Sequence, residues 1–208
     1  MSIIYRSNQT MTSPPPNAPI APGRASYRAG FSGGDTPDLV GEQTDSGDGL
    51  DVAAWQGTAG ILKIESGSVV GIPGSAGFVG VPVLSTQGAH MTWLVRQMPT
   101  DGIVYLDLFR PLSGAPLSYR LGLHADFGAR LMVRLTSSNT VALTDWIPIA
   151  SGQTAGIRYL GGTLSMVIDQ IPRVHVLDDQ VPVGNFAGIA TSSTGAGFEL
   201  DNFQVDVY

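Results

Sequence analysis

The chain has 208 residues, a net charge of −6 and only 13 % charged residues, with 27 glycines, 14 prolines and no cysteine. Glycine and proline at this density point to many short strands joined by tight turns, not to helices, which would want more Glu, Lys, Ala and Leu. The lack of cysteine excludes disulfides, thiolate zinc sites and cysteine nucleophiles. The acidic balance excludes a nucleic-acid groove built on overall charge: the arginines are spread singly and Lys63 is the one lysine.

Residues 1–34 hold Pro14-Pro-Pro16, Pro19 and Pro22 together with Arg6, Arg24 and Arg28, and no acidic residue. Proline fixes φ and favours extended polyproline geometry, so this stretch reads as a floppy tail or as an extended arm that lies on a neighbouring subunit. In the second reading Ile3, Ile4, Tyr5, Tyr27 and Phe31 are its apolar anchors and Arg6, Arg24 and Arg28 its charges. The first residues lack the basic start and apolar stretch of a signal peptide, and no run approaches the roughly 20 apolar residues that span a bilayer. The expectation is a product made in a cytoplasm, with no membrane insertion.

Residues 35–51 reverse the sign, with Asp35, Asp38, Glu42, Asp45, Asp48 and Asp51 and no base. The run Asp45-Ser-Gly-Asp48-Gly-Leu-Asp51 superficially suggests a calcium loop, but it lacks the ligand spacing and closing Glu of an EF-hand. A solvated acidic loop is the preferred reading, with Asp45, Asp48 and Asp51 as weak metal candidates.

From residue 60 onward strand signals recur at short intervals. Met91, Trp93 and Val95 alternate against His90, Thr92 and Arg96. Leu131, Val133 and Leu135 alternate likewise against Arg130, Met132 and Arg134, and Pro82 marks an edge or a bend. At the end, Phe198 and Leu200 set an inward phase that slips by one at Asp201-Asn202 and resumes at Phe203, Val205 and Val207. A β-bulge at Asp-Asn is the economical reading. The expected fold is all-β, a two-sheet antiparallel sandwich over residues 35–208 behind an N-terminal arm.

Catalytic signals are weak. There is no Gly-x-Ser-x-Gly elbow, since Ile64-Glu-Ser66-Gly-Ser68 lacks the first glycine, and His90, His124 and His175 fall on separate strands, where they read as solvated imidazoles. For glycan binding Trp93, Tyr105, Tyr119 and Trp146 are the candidates, each weighed against a place in the core. Asp201 is a further weak cation candidate, weighed against a bulge that satisfies local amides.

The closing pair of strands, Val183 to Thr191 and Phe198-Glu-Leu-Asp-Asn-Phe-Gln-Val-Asp-Val-Tyr208, resembles the end of concanavalin A-like (laminin G-like) jelly rolls. Asp35-Thr-Pro-Asp-Leu-Val-Gly41, Trp55 and Gly60-Ile-Leu-Lys-Ile-Glu65 resemble the start of laminin G-like modules found in bacteriophage tail proteins. The glycosidases of this fold carry Glu-x-Asp-x-Glu on one strand, with the acids about 5–5.5 Å apart. Here Glu199-Leu-Asp201 is followed by Phe203 where the third acid belongs, so no enzyme is expected. The resemblance implies a structural protein of a virus particle: a minor tail component first, a capsid decoration protein second. Its partners would be other virion proteins in an oligomer or larger assembly. The alternative is a carbohydrate-binding module, such as a tail adhesin for host surface glycans, with calcium as the one cofactor to consider.

Overall fold

A computed structural model describes residues 25–46, 51–83, 87–114, 116–192 and 197–208. Among them there are no helices, and fifteen strands follow one another: β1 (Ala25–Ala29), β2 (Gln56–Gly57), β3 (Leu62–Glu65), β4 (Ser68–Gly71), β5 (Gly77–Pro82), β6 (Gly88–Gln97), β7 (Val104–Arg110), β8 (Ser118–His124), β9 (Gly128–Arg134), β10 (Thr140–Ala142), β11 (Thr154–Leu160), β12 (Thr163–Ile168), β13 (Ile171–Leu177), β14 (Phe186–Thr191) and β15 (Glu199–Val207). They form two antiparallel sheets. One has the order β13-β12-β11-β6-β15-β4-β3, with β1 added on β15; the other runs β10-β9-β8-β7-β14-β5-β2.

The core lies between the sheets and follows the alternation read from the sequence. Met91, Trp93 and Val95 of β6, Leu131 and Val133 of β9, and Leu200, Phe203, Val205 and Val207 of β15 all face it. Rings from both sheets lock it. Trp55, Trp93 and Phe203 meet at centroid distances of 4.8 to 5.8 Å, and Tyr119 stacks on Tyr159 across the sandwich at 5.2 Å.

Two irregularities aim side chains. In β15 the register with β6 shifts between Asp201 and Gln204, and Asn202 has a φ of 47°. Asparagine tolerates this left-handed conformation better than most residues, and the bulge restores Phe203 to the core. It is also where β15 changes partner on its other side, pairing β4 through Glu199 and Leu200 and β1 from Phe203 onward. In β7, Phe186 pairs Arg110 and Ala187 pairs Leu108, leaving Phe109, at a φ of 64°, as the extra residue. Both Leu108 and Phe109 then point inward, which turns Arg110 to the outer face beside Asp107.

Pro82 fits because β2 pairs only Gly80 and Val79, so the outer side of β5 carries no ladder at Pro82. Tyr27 and Arg28, expected on a docking arm, sit on β1 opposite Val205 and Gln204. Phe31, the third such residue, is buried and stacks on Trp93 at 5.9 Å. Ile3, Ile4, Tyr5, Arg6 and Arg24 lie outside the described residues.

Candidate functional site

Cross-strand register builds the outer face of the seven-stranded sheet. One transverse row reads Met132–Arg120–Asp107–Gly188–Gly80–Gln56 from β9 to β2. The next reads Arg130–Gly122–Tyr105–Ala190–Phe78. Gly188 and Gly80 stand opposite each other, and a Cβ on Gly80 would lie 2.7 Å from Phe78 Cζ, so the phenyl ring folds back over bare backbone.

Asp107 anchors this face and is fully buried. Arg120 grips it bidentately, Nε donating to Oδ1 at 2.6 Å and Nη2 to Oδ2 at 2.9 Å, while Arg110 Nη1 donates to Oδ2 at 2.8 Å. Burial alone would push the carboxyl pKa up, but the two guanidinium groups outweigh it and hold it below the ordinary carboxylate value. Each arginine also covers a ring: Arg120 lies 4.1 Å above Tyr105 and Arg110 lies 4.6 Å above Phe78. Arg134 joins the same neighbourhood, its pKa lowered by burial and by repulsion from Arg120 and Arg110. Two guanidinium groups thus share one carboxylate, while Arg134 donates to Thr136 O and Ser137 O at 3.1 Å.

At the β8–β9 end of this face lies an aromatic surface. The bridge between Ala129 and Ile147 holds the segment after β10 against β9, with both backbone bonds at 2.8 Å, and so places Trp146 beside the β8–β9 turn. Phe127 in that turn is 54 % exposed and Trp146 is half-buried. Their centroids are 5.7 Å apart, and the His124 ring sits 4.5 Å from Phe127 and 5.9 Å from Trp146. Arg130, fixed through Nε to Thr144 O at 2.8 Å, reaches within 5.5 Å of the indole.

At the opposite, β2–β5 edge an open cleft of about 610 Å³ is bounded by Gln56, Thr58, Phe78, Arg110 and Leu112, among others.

The glycan candidates read from the sequence separate accordingly. Trp93 and Tyr119 are core residues with no exposure, and Tyr119 is fixed by donation to Asp178 Oδ1 at 2.8 Å. Tyr105 is half-buried beneath Arg120, and Trp146 alone of the four lies in an accessible aromatic cluster. Sequence reasoning does not single out Phe127, and it reads His124 as a solvated imidazole. The usable signal is an aromatic inside the tight Ala125-Asp-Phe-Gly128 turn, where a large ring has no core to enter.

The weak cation candidates are engaged in backbone and arginine contacts. Asp45 Oδ2 accepts Gly30 N–H at 2.9 Å and Asp51 Oδ2 accepts Ser26 N–H at 3.1 Å, so both pin the β1 segment. Asp201, almost fully buried, accepts Arg96 Nε at 2.8 Å and its neighbour Asn202 N–H at 2.7 Å. Asp48 lies outside the described residues. Calcium takes six to eight oxygen ligands, and no group of three or more His, Cys, Asp or Glu suited to a metal occurs among the described residues.

On the outer face of the other sheet, register aligns Ser26–Asp206–His90–Arg158–Ser165–His175. His90 and His175 keep the outward phase. Yet His90 is only 4 % exposed, because neighbouring strands crowd it, and is not the solvated imidazole expected. Ser165 Oγ lies 2.7 Å from His175 Nδ1, but His175 Nε2 has no hydrogen-bond partner among the described residues. The carboxylate that would orient such a base in a serine nucleophile system is missing there.

No protein-family model and no curated protein sequence matches this chain. Solved structures do. The exoplasmic/lumenal domain of VIP36, in its Ca2+/Man3GlcNAc-bound form, is 15 % identical with a TM-score of 0.51, covering 83 % of this chain and 88 % of that one. Domain 4 of AbnA, a GH43 extracellular arabinanase from Geobacillus stearothermophilus in complex with arabinotriose, is 14 % identical with a TM-score of 0.50, covering 90 % and 94 %. Trypanosoma rangeli sialidase in complex with 2,3-difluorosialic acid matches 86 % of this chain but 30 % of its own length, at 8 % identity and a TM-score of 0.50. The likeness is one of fold: a two-sheet antiparallel β-sandwich of jelly-roll, concanavalin A-like architecture.

Proposed function

We propose that the protein is a non-catalytic carbohydrate-binding module whose ligand lies on the outer face of the seven-stranded sheet. The observation that carries this is the Phe127–Trp146–His124 surface, with Trp146 flanked by a backbone-fixed Arg130. A pyranose ring presents a C–H face that packs on an accessible aromatic, while its hydroxyls take hydrogen bonds from fixed polar groups at the rim. Sugar-bound forms of two structures of the same fold, the VIP36 domain and AbnA domain 4, support the reading. No catalytic step is assigned: the buried Asp107 is neutralised by its two arginine partners. Membership of a virus particle, in a tail or on a capsid, with a host-surface glycan as ligand, rests on the sequence resemblance to phage modules.

The test is glycan-array screening of the full chain, followed by calorimetry on the best ligand. Trp146→Ala and Phe127→Ala are each expected to weaken binding about tenfold or more with the melting temperature nearly unchanged, since neither ring is in the core. Capture of no glycan, or variants that bind as tightly as the parent, would overturn the proposal.

A further inference from the structure

We propose that the cleft at the β2–β5 edge is an anion subsite that takes the carboxylate of an acidic sugar residue, with Arg110 as its recognition group. The proposal rests on the carbohydrate-binding reading and specifies its ligand class.

Four observations converge. The cleft, at about 610 Å³, has the size of a ligand site, and Arg110 is the one charged residue among those lining it. In a chain of net charge −6, a cleft with a single, positive charge runs against the overall field. The guanidinium is pre-positioned, since the Phe109 bulge turns it to the outer face, Asp107 holds Nη1 at 2.8 Å and its plane lies over Phe78 at 4.6 Å. A ligand therefore meets an arginine whose rotamers are already restricted, which removes much of the ordering cost of binding. Finally, local charge is unbalanced: Arg110 and Arg120 both donate to Asp107, two cations on one carboxylate. Arg120 is nearly fully buried and bidentate to Asp107, so of the two it is Arg110, with a side chain 13 % exposed, that borders the cleft.

A planar guanidinium fork matches a carboxylate bidentately, whereas neutral hydroxyls gain less from it. Gln56, exposed at the cleft rim, offers an amide to the neighbouring hydroxyls of the same sugar. The cleft lies at β5 and the aromatic surface at β8, three strand spacings away in the sheet order. A ligand touching both therefore crosses roughly 14 Å perpendicular to the strands and a further distance along them, which calls for an oligosaccharide.

The experiment titrates the full chain by calorimetry with a uronate oligosaccharide, its carboxyl-reduced neutral counterpart and a sulfated oligosaccharide. The expected result is uronate binding at least tenfold tighter than the reduced form, weakening as salt rises. Arg110→Gln should abolish that preference while leaving Trp146-dependent binding of the neutral glycan in place. Arg110→Lys, which keeps the charge and loses the fork, should restore only part of it. Equal affinity for uronate and reduced glycan, or an undiminished preference in Arg110→Gln, overturns the subsite and leaves the carbohydrate-binding reading standing. A sulfated ligand binding as tightly as the uronate overturns the commitment to a carboxylate. Glucuronate monosaccharide shifting the Arg110 Nε–H resonance, with no oligosaccharide captured, upholds the subsite and overturns the glycan-module reading. A melting curve on each variant separates loss of binding from loss of fold.

Discussion

Asp107 shows how a single residue can carry an entire face. Its carboxylate is fully buried and accepts three charge-assisted hydrogen bonds from two arginines. Removing one partner of a buried ion cluster strands the others in a medium that solvates them poorly. Asp107→Ala is therefore expected to cost about 3–5 kcal/mol in urea unfolding, much more than the loss of one exposed pair. A loss below about 1 kcal/mol would show that the arginines are hydrated in solution. Nothing in the sequence marks Asp107 as the centre of such a cluster. Its partners come from the next strand, 13 positions on, and from beyond a bulge, neither of which local spacing displays.

At the scale of elements, β1 and β15 repay comparison. The bulge of β15 was legible because one extra residue is the simplest way to shift the phase between two apolar sets, and the register shift lies where the slip predicted. The β1 strand was not legible. Its residues follow a proline-rich stretch and show no long alternation, and the strand exists because β15 offers an open edge past its bulge. The segment then delivers Phe31, at a φ of 52°, into the aromatic core against Trp93 and Trp55. A non-glycine residue in that conformation persists only where packing over-determines it. Phe31→Ala is expected to cost about 3–5 kcal/mol in chemical denaturation, while Arg28→Ala on the exposed side of the same segment should stay within about 0.5 kcal/mol. Equal effects would mean that the β1 segment does not pack as a core element.

The molecule as a whole has a predictable response to acid. Burial is the main cause that lowers the pKa of His90 to about 4; the Asp206 charge opposes it and Arg158 reinforces it. The unfolded chain, with an ordinary histidine near 6.5, takes up a proton that the folded chain refuses. The stability contributed by neutral His90 is thus complete above about pH 6.5 and is lost as pH falls towards 4, amounting to roughly 3 kcal/mol. His175, also lowered by burial, acts in the same direction. Asp107, held low, adds a further loss only at more acid pH, as its carboxyl is protonated. Denaturant midpoints recorded from pH 8 to 4 should show this slope, and His90→Gln should flatten most of it. An unchanged slope in that variant would place the proton uptake elsewhere.

By itself the sequence determined the all-β class, the phase of the principal strands and the turns between them. These depend on side chains a few positions apart, and a period of two is visible wherever one face is buried and the other is not. It also determined that no Glu-x-Asp-x-Glu strand is present, since a missing side chain is missing in any fold. Only the tertiary structure decided which outward-phase residues meet. Arg110 and Arg120 read as scattered positive charges until antiparallel register and one bulge gathered them around Asp107. Trp93 and Trp146 are the same residue type with the same prior claim to a sugar. Packing against Phe203 and Trp55 buried the first, and a short bridge to Ala129 left the second at the surface. Such outcomes depend on contacts between residues far apart in the chain, which no local pattern specifies.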